Sequence, residues 1–359
     1  MNFFELLRLS IGTAECVADG NTDWEAMYEM AKKQSLIGVM LQGIAKLPKA
    51  QMPEKRLLLK WYAQSGVIKS KNETVNSVAV KVTRLFAEGG IESCILKGQG
   101  NNLMYADPYV RTPGDVDIWV NPAKLQFEDG CINLGEKRMK VGKKSYHHVD
   151  AESMDGISVE VHYRPCYMHN MIHNSRIQRW FAENAAEQYR HEVELPGDAG
   201  CVAVPTAAFN VVYQLCHISN HFFQEGIGLR QFLDYYYVLQ HVDAGLDRVA
   251  LRRQLKRFGL YKMARAVMYV EQEVFGLSKD RLIVEPSVKY GRFLVSEILL
   301  SGNFGQYDER LNGFYRESGV GHNVARLQRD LRLLWLFPSE CLWEPVFRLY
   351  HYLWRKKNA

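Results

Sequence analysis

The chain has 359 residues, 47% hydrophobic and 24% charged. That is enough for two domains, and the balance is that of an ordinary folded enzyme rather than a disordered or fibrous chain. A net charge of +5 is too mild for a dedicated nucleic-acid binder, which would carry a dense basic stripe, but it tolerates an anionic substrate. The seven cysteines are odd in number and form no Cys-x-x-Cys pair, so reduced thiols and a cytoplasmic setting are expected. No basic stretch leads into a long apolar run after Met1, and no 18 apolar residues run together. Neither a signal peptide nor a transmembrane helix is therefore predicted.

Residues 1–89 read as an N-terminal helical region. Ala26, Met27, Met30 and Ala31, then Leu36, Ile37, Met40, Leu41 and Ile44, recur at helical spacing. A long helix is predicted over 71–88, ended by Gly89-Gly90. Residues 90–165 hold the predicted strands and the metal-binding core. Ile95-Leu96 reads as a strand end, Lys97-Gly98 as a turn into a helix, and Val116 to Val120 as a second strand. Residues 145–150 and 156–163 pair as a hairpin around the turn dipeptide Asp155-Gly156. Residues 166–359 are predicted to form a C-terminal helical domain. Thr206 caps a helix to about Phe223, Gly228 opens one to about His241, and 249–258 and 261–275 continue the pattern. The aromatic C-terminus, with Arg355-Lys356-Lys357 at its end, fits a helix packed on the body. A membrane-surface helix would look similar, but Glu344 and Pro345 interrupt the apolar run.

The chemistry concentrates between the two predicted helical regions. In a strand, residues i and i+2 share a face, so Asp115 and Asp117 project together. Two carboxylates this close repel, and a divalent cation removes that cost. Oxygen ligands of this kind suit Mg²⁺, or Mn²⁺, shared with substrate phosphates. Glu160 lies on a later alternating strand with His162 on the same face, and it is the candidate third metal ligand and proton acceptor. Lys97 and the Gly98 turn are candidate phosphate contacts at a helix start. Arg111 is either a phosphate-binding cation or the partner of Asp107 or Asp115. Arg230 and Asp234, at i and i+4, form a helix-surface ion pair, or Arg230 holds a phosphate. His217 and His221 are also at i and i+4. They pack across a helix interface, contact nucleotide or acceptor, or bind zinc together with His148 and His162. Tyr105 and Tyr109 stack on a base or pack in the core, and Trp119 is expected to pack on a flanking helix.

Leu96-Lys97-Gly98, then Arg111-x-x-Gly114-Asp115-Val116-Asp117-Ile118, then Val159-Glu160-Val161-His162-Tyr163 resemble the motifs of the polymerase-β-like nucleotidyltransferase superfamily. More closely, they resemble a bacterial family described as uncharacterised nucleotidyltransferases. Leu215-Cys216-His217 through His221-Phe222 and Gly228-Leu229-Arg230-Gln231-Phe232-Leu233-Asp234 are similar to that family too. The resemblance implies an α+β fold, a small mixed sheet flanked by N- and C-terminal helical regions. It implies transfer of NMP from Mg²⁺·NTP to a hydroxyl or phosphate acceptor. Asp115, Asp117 and Glu160 would hold the metal, and Lys97, Gly98, Arg111, His162, His217 and Arg230 would lie near nucleotide or phosphate. Active superfamily members commonly have Gly-Ser in the turn where this chain has Gly98-Gln99. That departure supports the rival reading, a nucleotide-binding or interaction module without catalysis. A metal-dependent hydrolase built on the histidines is the other alternative.

Overall fold

The computed structural model describes residues 1–14, 22–243, 245–310 and 320–358. The chain opens with α1 (Phe3–Ile11), α2 (Trp24–Lys33), α3 (Ile37–Ala45) and the long α4 (Lys55–Glu88). Asn2 and Glu5 form a reciprocal capping box on α1, and Asp23 caps α2. Next come β1 (Ser93–Leu96), the one-turn α5 (Gly98–Asn102), β2 (Val116–Val120), β3 (Phe127–Glu128), β4 (Cys131–Leu134), β5 (Lys137–Lys140), β6 (His148–Met154) and β7 (Ile157–His162). Then α6 (Met171–Gln188) leads to the hairpin β8 (Glu192–Leu195) and β9 (Gly200–Ala203). Helices α7 (Ala207–Gln224), α8 (Leu229–His241), α9 (Arg248–Arg257), α10 (Tyr261–Glu273), α11 (Val288–Ser301), α12 (Val320–Leu334) and α13 (Pro338–Asn358) complete the chain. It is an α+β protein in which helices flank a mixed sheet.

Two compact units share these elements. The first draws on residues 1–69, 109–112 and 218–342, and is helical. Its α8 begins at Gly228, which has no side chain to cap the free amides. Gln34, fully buried, does this instead: its Oε1 accepts from Leu229 N at 2.9 Å while its Nε2 donates to the Ile298 carbonyl at 3.1 Å. The segment carrying Arg111 is held down on the start of α3. Thr112 Oγ1 donates to the Ser35 carbonyl at 2.9 Å, and Gly38 leaves room for the Val110 carbonyl.

The second unit draws on 70–108, 113–217 and the chain from 343 on. Its main sheet has the order β1-β2-β7-β6, with β2 and β7 parallel and the outer pairs antiparallel. Val75, Val78, Ala79, Val82 and Phe86 recur down one side of α4 and pack with Ile95, Ile118, Val149, Val159 and Val161 from one face of this sheet. The opposite face carries Asp117, Trp119, Glu160 and His162. As expected, Trp119 packs on helical aromatics, stacking on Phe209 of α7 and meeting Tyr189 just beyond α6. The β6–β7 turn is Asp155-Gly156 with φ of +50° and +77°, the two positive values a two-residue hairpin of this type requires.

Two small elements depart from the sequence reading. β3, β4 and β5 form a three-stranded sheet of their own, and β8–β9 forms a hairpin inside the region read as helical. Both are short, and both bury alternate residues: Ile132, Leu134 and Met139 in one, Leu195 and Val202 in the other. The C-terminal helix α13 runs through Pro345 rather than stopping there. Its Phe347 stacks on Tyr167 and meets Tyr146, and Trp354 also reaches Tyr146, so this end of the chain packs on its own unit. Val346, Leu349 and Leu353 remain exposed. No helix among the described residues is long and apolar enough to cross a membrane. The six cysteines among the described residues are free thiols; Cys16 lies outside them.

A methyl group at position 38 would overlap the Val110 carbonyl, which is backbone and cannot rotate away. Gly38→Ala should therefore destabilise the protein by about 1–3 kcal/mol, the usual cost of overpacking. A chemical-denaturation midpoint equal to that of the parent would contradict this docking of the Arg111 segment.

Candidate active site

The site is built by register. Asp117 of β2 lies beside Glu160 of β7, and Trp119 beside His162, so the two acids and the imidazole share one face of the parallel pair. Leu96, at the end of β1, pairs with Asp117 on the other side, which delivers the next residue, Lys97, to the same place. Lys97 Nζ is 3.0 Å from Asp117 Oδ2, and His162 Nε2 is 2.8 Å from Asp117 Oδ1. His162 Nε2 also lies 3.3 Å from Glu160 Oε2. Asp117 and His162 are both nearly inaccessible, whereas Glu160 is partly open to solvent.

Lys97 holds a backbone conformation with φ +52° and ψ −134°. A side chain at such an angle is strained by about 1–3 kcal/mol, and a glycine would relieve it. The strain persists where the ammonium meets the Asp117 carboxylate. Gly98 follows with φ +35°, and a Cβ added there would meet nothing within 4 Å. Gly100 differs: a Cβ would come within 2.9 Å of Val204, so it is glycine for close packing.

The electrostatics follow from burying this set together. Burial alone would raise the Asp117 carboxyl, but the Lys97 charge and the His162 hydrogen bond hold it well below the usual range. Burial works against the His162 imidazolium, yet its bonds to Asp117 and Glu160 raise it to about 9. Lys97 is likewise held above its ordinary value: burial opposes its charge, and the charges of Asp117, Asp115 and Glu160 overcome that. Glu160 is pushed up by burial and held low overall by His162. Asp115 sits exposed just before β2, and the negative charge of Asp117 raises it to about 6. His147 and His148 are both depressed, first by burial and then by neighbouring imidazoles.

Can these residues hold a metal? The ligand atoms of Asp117, Glu160 and His162 lie within 4.8 Å of one another. Two carboxylates and an imidazole fit a divalent cation, which would take the place at the Asp117 oxygens now held by the Lys97 ammonium and the protonated His162 ring. Asp115 stands outside that group.

A family described as uncharacterised nucleotidyltransferase matches residues 20–276. The chain belongs to this family. Neither a curated protein nor a solved structure matches it. Membership makes it a nucleotidyltransferase by class, a transferase whose substrate is a nucleotide, and its acidic and histidine groups could hold the divalent metal such chemistry generally uses.

The remaining sequence candidates distribute as follows. Arg111 is buried in the first unit and grips Asp234 with both arms, Nε to Oδ1 at 2.7 Å and Nη2 to Oδ2 at 2.8 Å. The carboxylate it grips is 123 residues away along the chain. Arg230, in the same unit, donates from Nη1 to the Thr112 carbonyl at 2.8 Å and lies over the Phe304 ring. His217, in the second unit, stacks on Tyr213. His221 pairs with Glu225, Nδ1 to Oε1 at 2.6 Å. Among the described residues, the histidines that could share a metal are His147, His148 and His162. Tyr105 is buried, in keeping with a core role, and Tyr109 lies beneath the Lys69 ammonium.

Sequence reasoning missed three features. Gln99, which stands where active superfamily members commonly have serine, is buried and donates to Asn76 Oδ1. Asn102 donates to Asn72 Oδ1 at 2.8 Å, and Gln214 donates to Asn101 Oδ1 at 2.8 Å, so side-chain amides tie the turn to α4 and α7. Asn72 and Asn76, one turn apart on a helix side that is otherwise apolar, were the available signal. Tyr213 is fully buried, its hydroxyl has no hydrogen-bond partner among the described residues, and burial and the Asp117 charge both raise it. His147 joins the cluster too, and its only signal in the sequence is its place beside His148.

Two expectations follow. The His162 contribution to stability is complete below pH 6.5, its ordinary value, and is lost as pH rises through about 9. In chelator-treated protein the melting temperature should fall over that interval, and His162→Gln should flatten the fall; equal slopes would separate His162 from it. Arg111→Ala removes the bidentate partner of the buried Asp234 carboxylate and should cost about 3–5 kcal/mol, whereas replacing Arg111 and Asp234 together by apolar residues should cost far less. Urea unfolding of the two variants measures the difference.

Proposed function

We propose that the β2–β7 face transfers NMP from an NTP with Mg²⁺ or Mn²⁺ to a hydroxyl or phosphate acceptor, releasing pyrophosphate. The observation that carries the reading is the pairing of Asp117 with Glu160 on adjacent parallel strands, with Lys97 Nζ 3.0 Å from Asp117 Oδ2. Asp117 and Glu160 would hold the cation, with Asp115 as the third carboxylate. Bound there, a divalent ion supplies charge neutralisation on the phosphates and Lewis-acid polarisation at the α-phosphate. Lys97 then exchanges Asp117 for phosphate oxygens and carries positive charge to the leaving pyrophosphate. His162 keeps Asp117 oriented through its Nε2 bond. Glu160, the accessible acid, takes the acceptor proton.

The turn offers no serine hydroxyl, because Gln99 is committed to the amide network. Triphosphate anchoring therefore falls to Lys97 and to the open space at Gly98. Arg111 and Arg230 are engaged inside the first unit and support that fold in this reading.

The test pairs binding with turnover. ATP, GTP, CTP and UTP are each added with Mg²⁺ while the melting temperature is recorded. A nucleotide at 100 times its Kd stabilises by ~2.7 kcal/mol, which raises a unit of this size by about 2–4 °C. Asp117→Asn should abolish the shift for the active nucleotide and lower pyrophosphate release by at least about 100-fold, with folding intact. Undiminished pyrophosphate release in that variant would sink the mechanism. A Mg²⁺-dependent shift without any pyrophosphate release would identify a binding module instead.

A further inference from the structure

The nucleotidyl-transfer reading uses one ring of a three-histidine cluster and leaves the other two without a task. His148 opens β6 and pairs in register with His162 of β7, and His147 immediately precedes it. The ring centroids lie 4.3 Å apart for His147–His148, 5.2 Å for His148–His162 and 5.4 Å for His147–His162. Each ring offers a nitrogen within 4.8 Å of the others. His147 Nε2 is 3.0 Å from His148 Nδ1, His148 Nδ1 is 3.7 Å from Glu160 Oε2, and His162 Nε2 is 3.3 Å from the same oxygen. Metal–nitrogen bonds of ~2.0–2.1 Å in a tetrahedral site put neighbouring ligand atoms about 3.3–3.4 Å apart. The observed separations bracket that spacing.

The backbone holds the cluster in place. The His147 carbonyl accepts from both Tyr163 N at 3.0 Å and Arg164 N at 3.1 Å, and Ser145 Oγ donates to the His148 carbonyl at 2.9 Å. The His147 ring packs on Tyr167 at 4.9 Å. His148 Nε2 faces Asp150 Oδ1 at 3.5 Å, the outer carboxylate that commonly orients a metal-bound imidazole. His148 and Glu160 are partly exposed, so an ion can enter from solvent.

We propose that His147, His148 and His162, with Glu160, form a binding site for a nitrogen-preferring transition-metal ion such as Zn²⁺ or Co²⁺. Imidazole ligands suit these ions, whereas Mg²⁺ favours carboxylate, carbonyl and water oxygens, so Mg²⁺ does not compete well here. The site stands without the transfer reading, since metal would bind whether or not a nucleotide does. Sharing Glu160 and His162 places this ion next to the acidic site.

The test is direct titration of the full chain, stripped with chelator, using Co²⁺ by visible absorption and Zn²⁺ by calorimetry. One equivalent of Co²⁺ should give the intense absorption of a tetrahedral site, and a large excess of Mg²⁺ should leave it in place. His147→Asn and His148→Asn should each weaken binding by on the order of 100-fold, the upper range seen even for outer partners, with the chelated melting temperature reporting that each variant is folded. His217→Asn should bind like the parent. Binding that survives both variants, or that depends on His217, would overturn the assignment, as would no stoichiometric Co²⁺ or Zn²⁺ binding at all. The Mg²⁺·nucleotide melting shift is measured separately, so failure of this metal site and failure of the transfer reading are distinguishable.

Discussion

A carboxylate buried as deeply as Asp117 cannot stay charged alone, and the surrounding structure answers that constraint. Lys97 meets one oxygen and His162 the other. His162 is buried and Lys97 largely so, and each is kept charged by the acid it neutralises. The backbone contorts to supply one of them, since Lys97 adopts a dihedral pair better suited to glycine. Removing any one member leaves an unbalanced charge in a dry place, which is costlier than losing a surface pair. The cluster is therefore both strained and held together.

Around it, the two faces of the sheet divide the work. The side toward α4 is aliphatic and gives rigidity through Val78, Val82, Phe86 and their strand partners. The other side moves from charge at Asp117 and Glu160 to aromatic packing at Trp119. The amides of Gln99, Asn101 and Asn102 fix the turn that carries Lys97. A hydroxyl at position 99 would serve a phosphate; an amide at that position serves the scaffold. This exchange explains how the glycine turn keeps its shape while differing in chemistry.

Much of this was legible in the sequence, for local reasons. Alternation exposed β2 and β7, Asp155-Gly156 gave the hairpin, and Thr206 marked the start of α7 through its hydroxyl, which accepts from Phe209 N. The Asp-x-Asp and Glu-x-His spacings, with the family resemblance, singled out Asp117, Glu160, His162 and Lys97. What stayed hidden depended on distance or brevity. The Arg111 partner, Asp234, lies too far along the chain for spacing to reveal. β3, β4 and β5 are two to four residues each and rich in charge, so their period barely registers, although Asp129-Gly130 marks one turn. The half of α4 before residue 71 is hard to read because its apolar residues fall on more than one face: Leu57, Trp61 and Ile68 are buried, but Leu59, Tyr62 and Val67 between them are exposed.

The two-residue turn at Asp155-Gly156 bears on more than folding. Together with the β-bulge between Ala151 and Met154, which shifts the pairing by one residue, it sets which residues of β6 oppose β7, and side chains alternate between faces along the strand. With the present register, His148 and Asp150 fall beside His162 and Glu160, while Val149 faces the aliphatic core. A slip of a single residue would send Val149 toward the acids and bury His148 against valines. The turn and the bulge at this distant end thus decide together whether the sheet sets nitrogen donors beside its carboxylates or leaves the carboxylates alone.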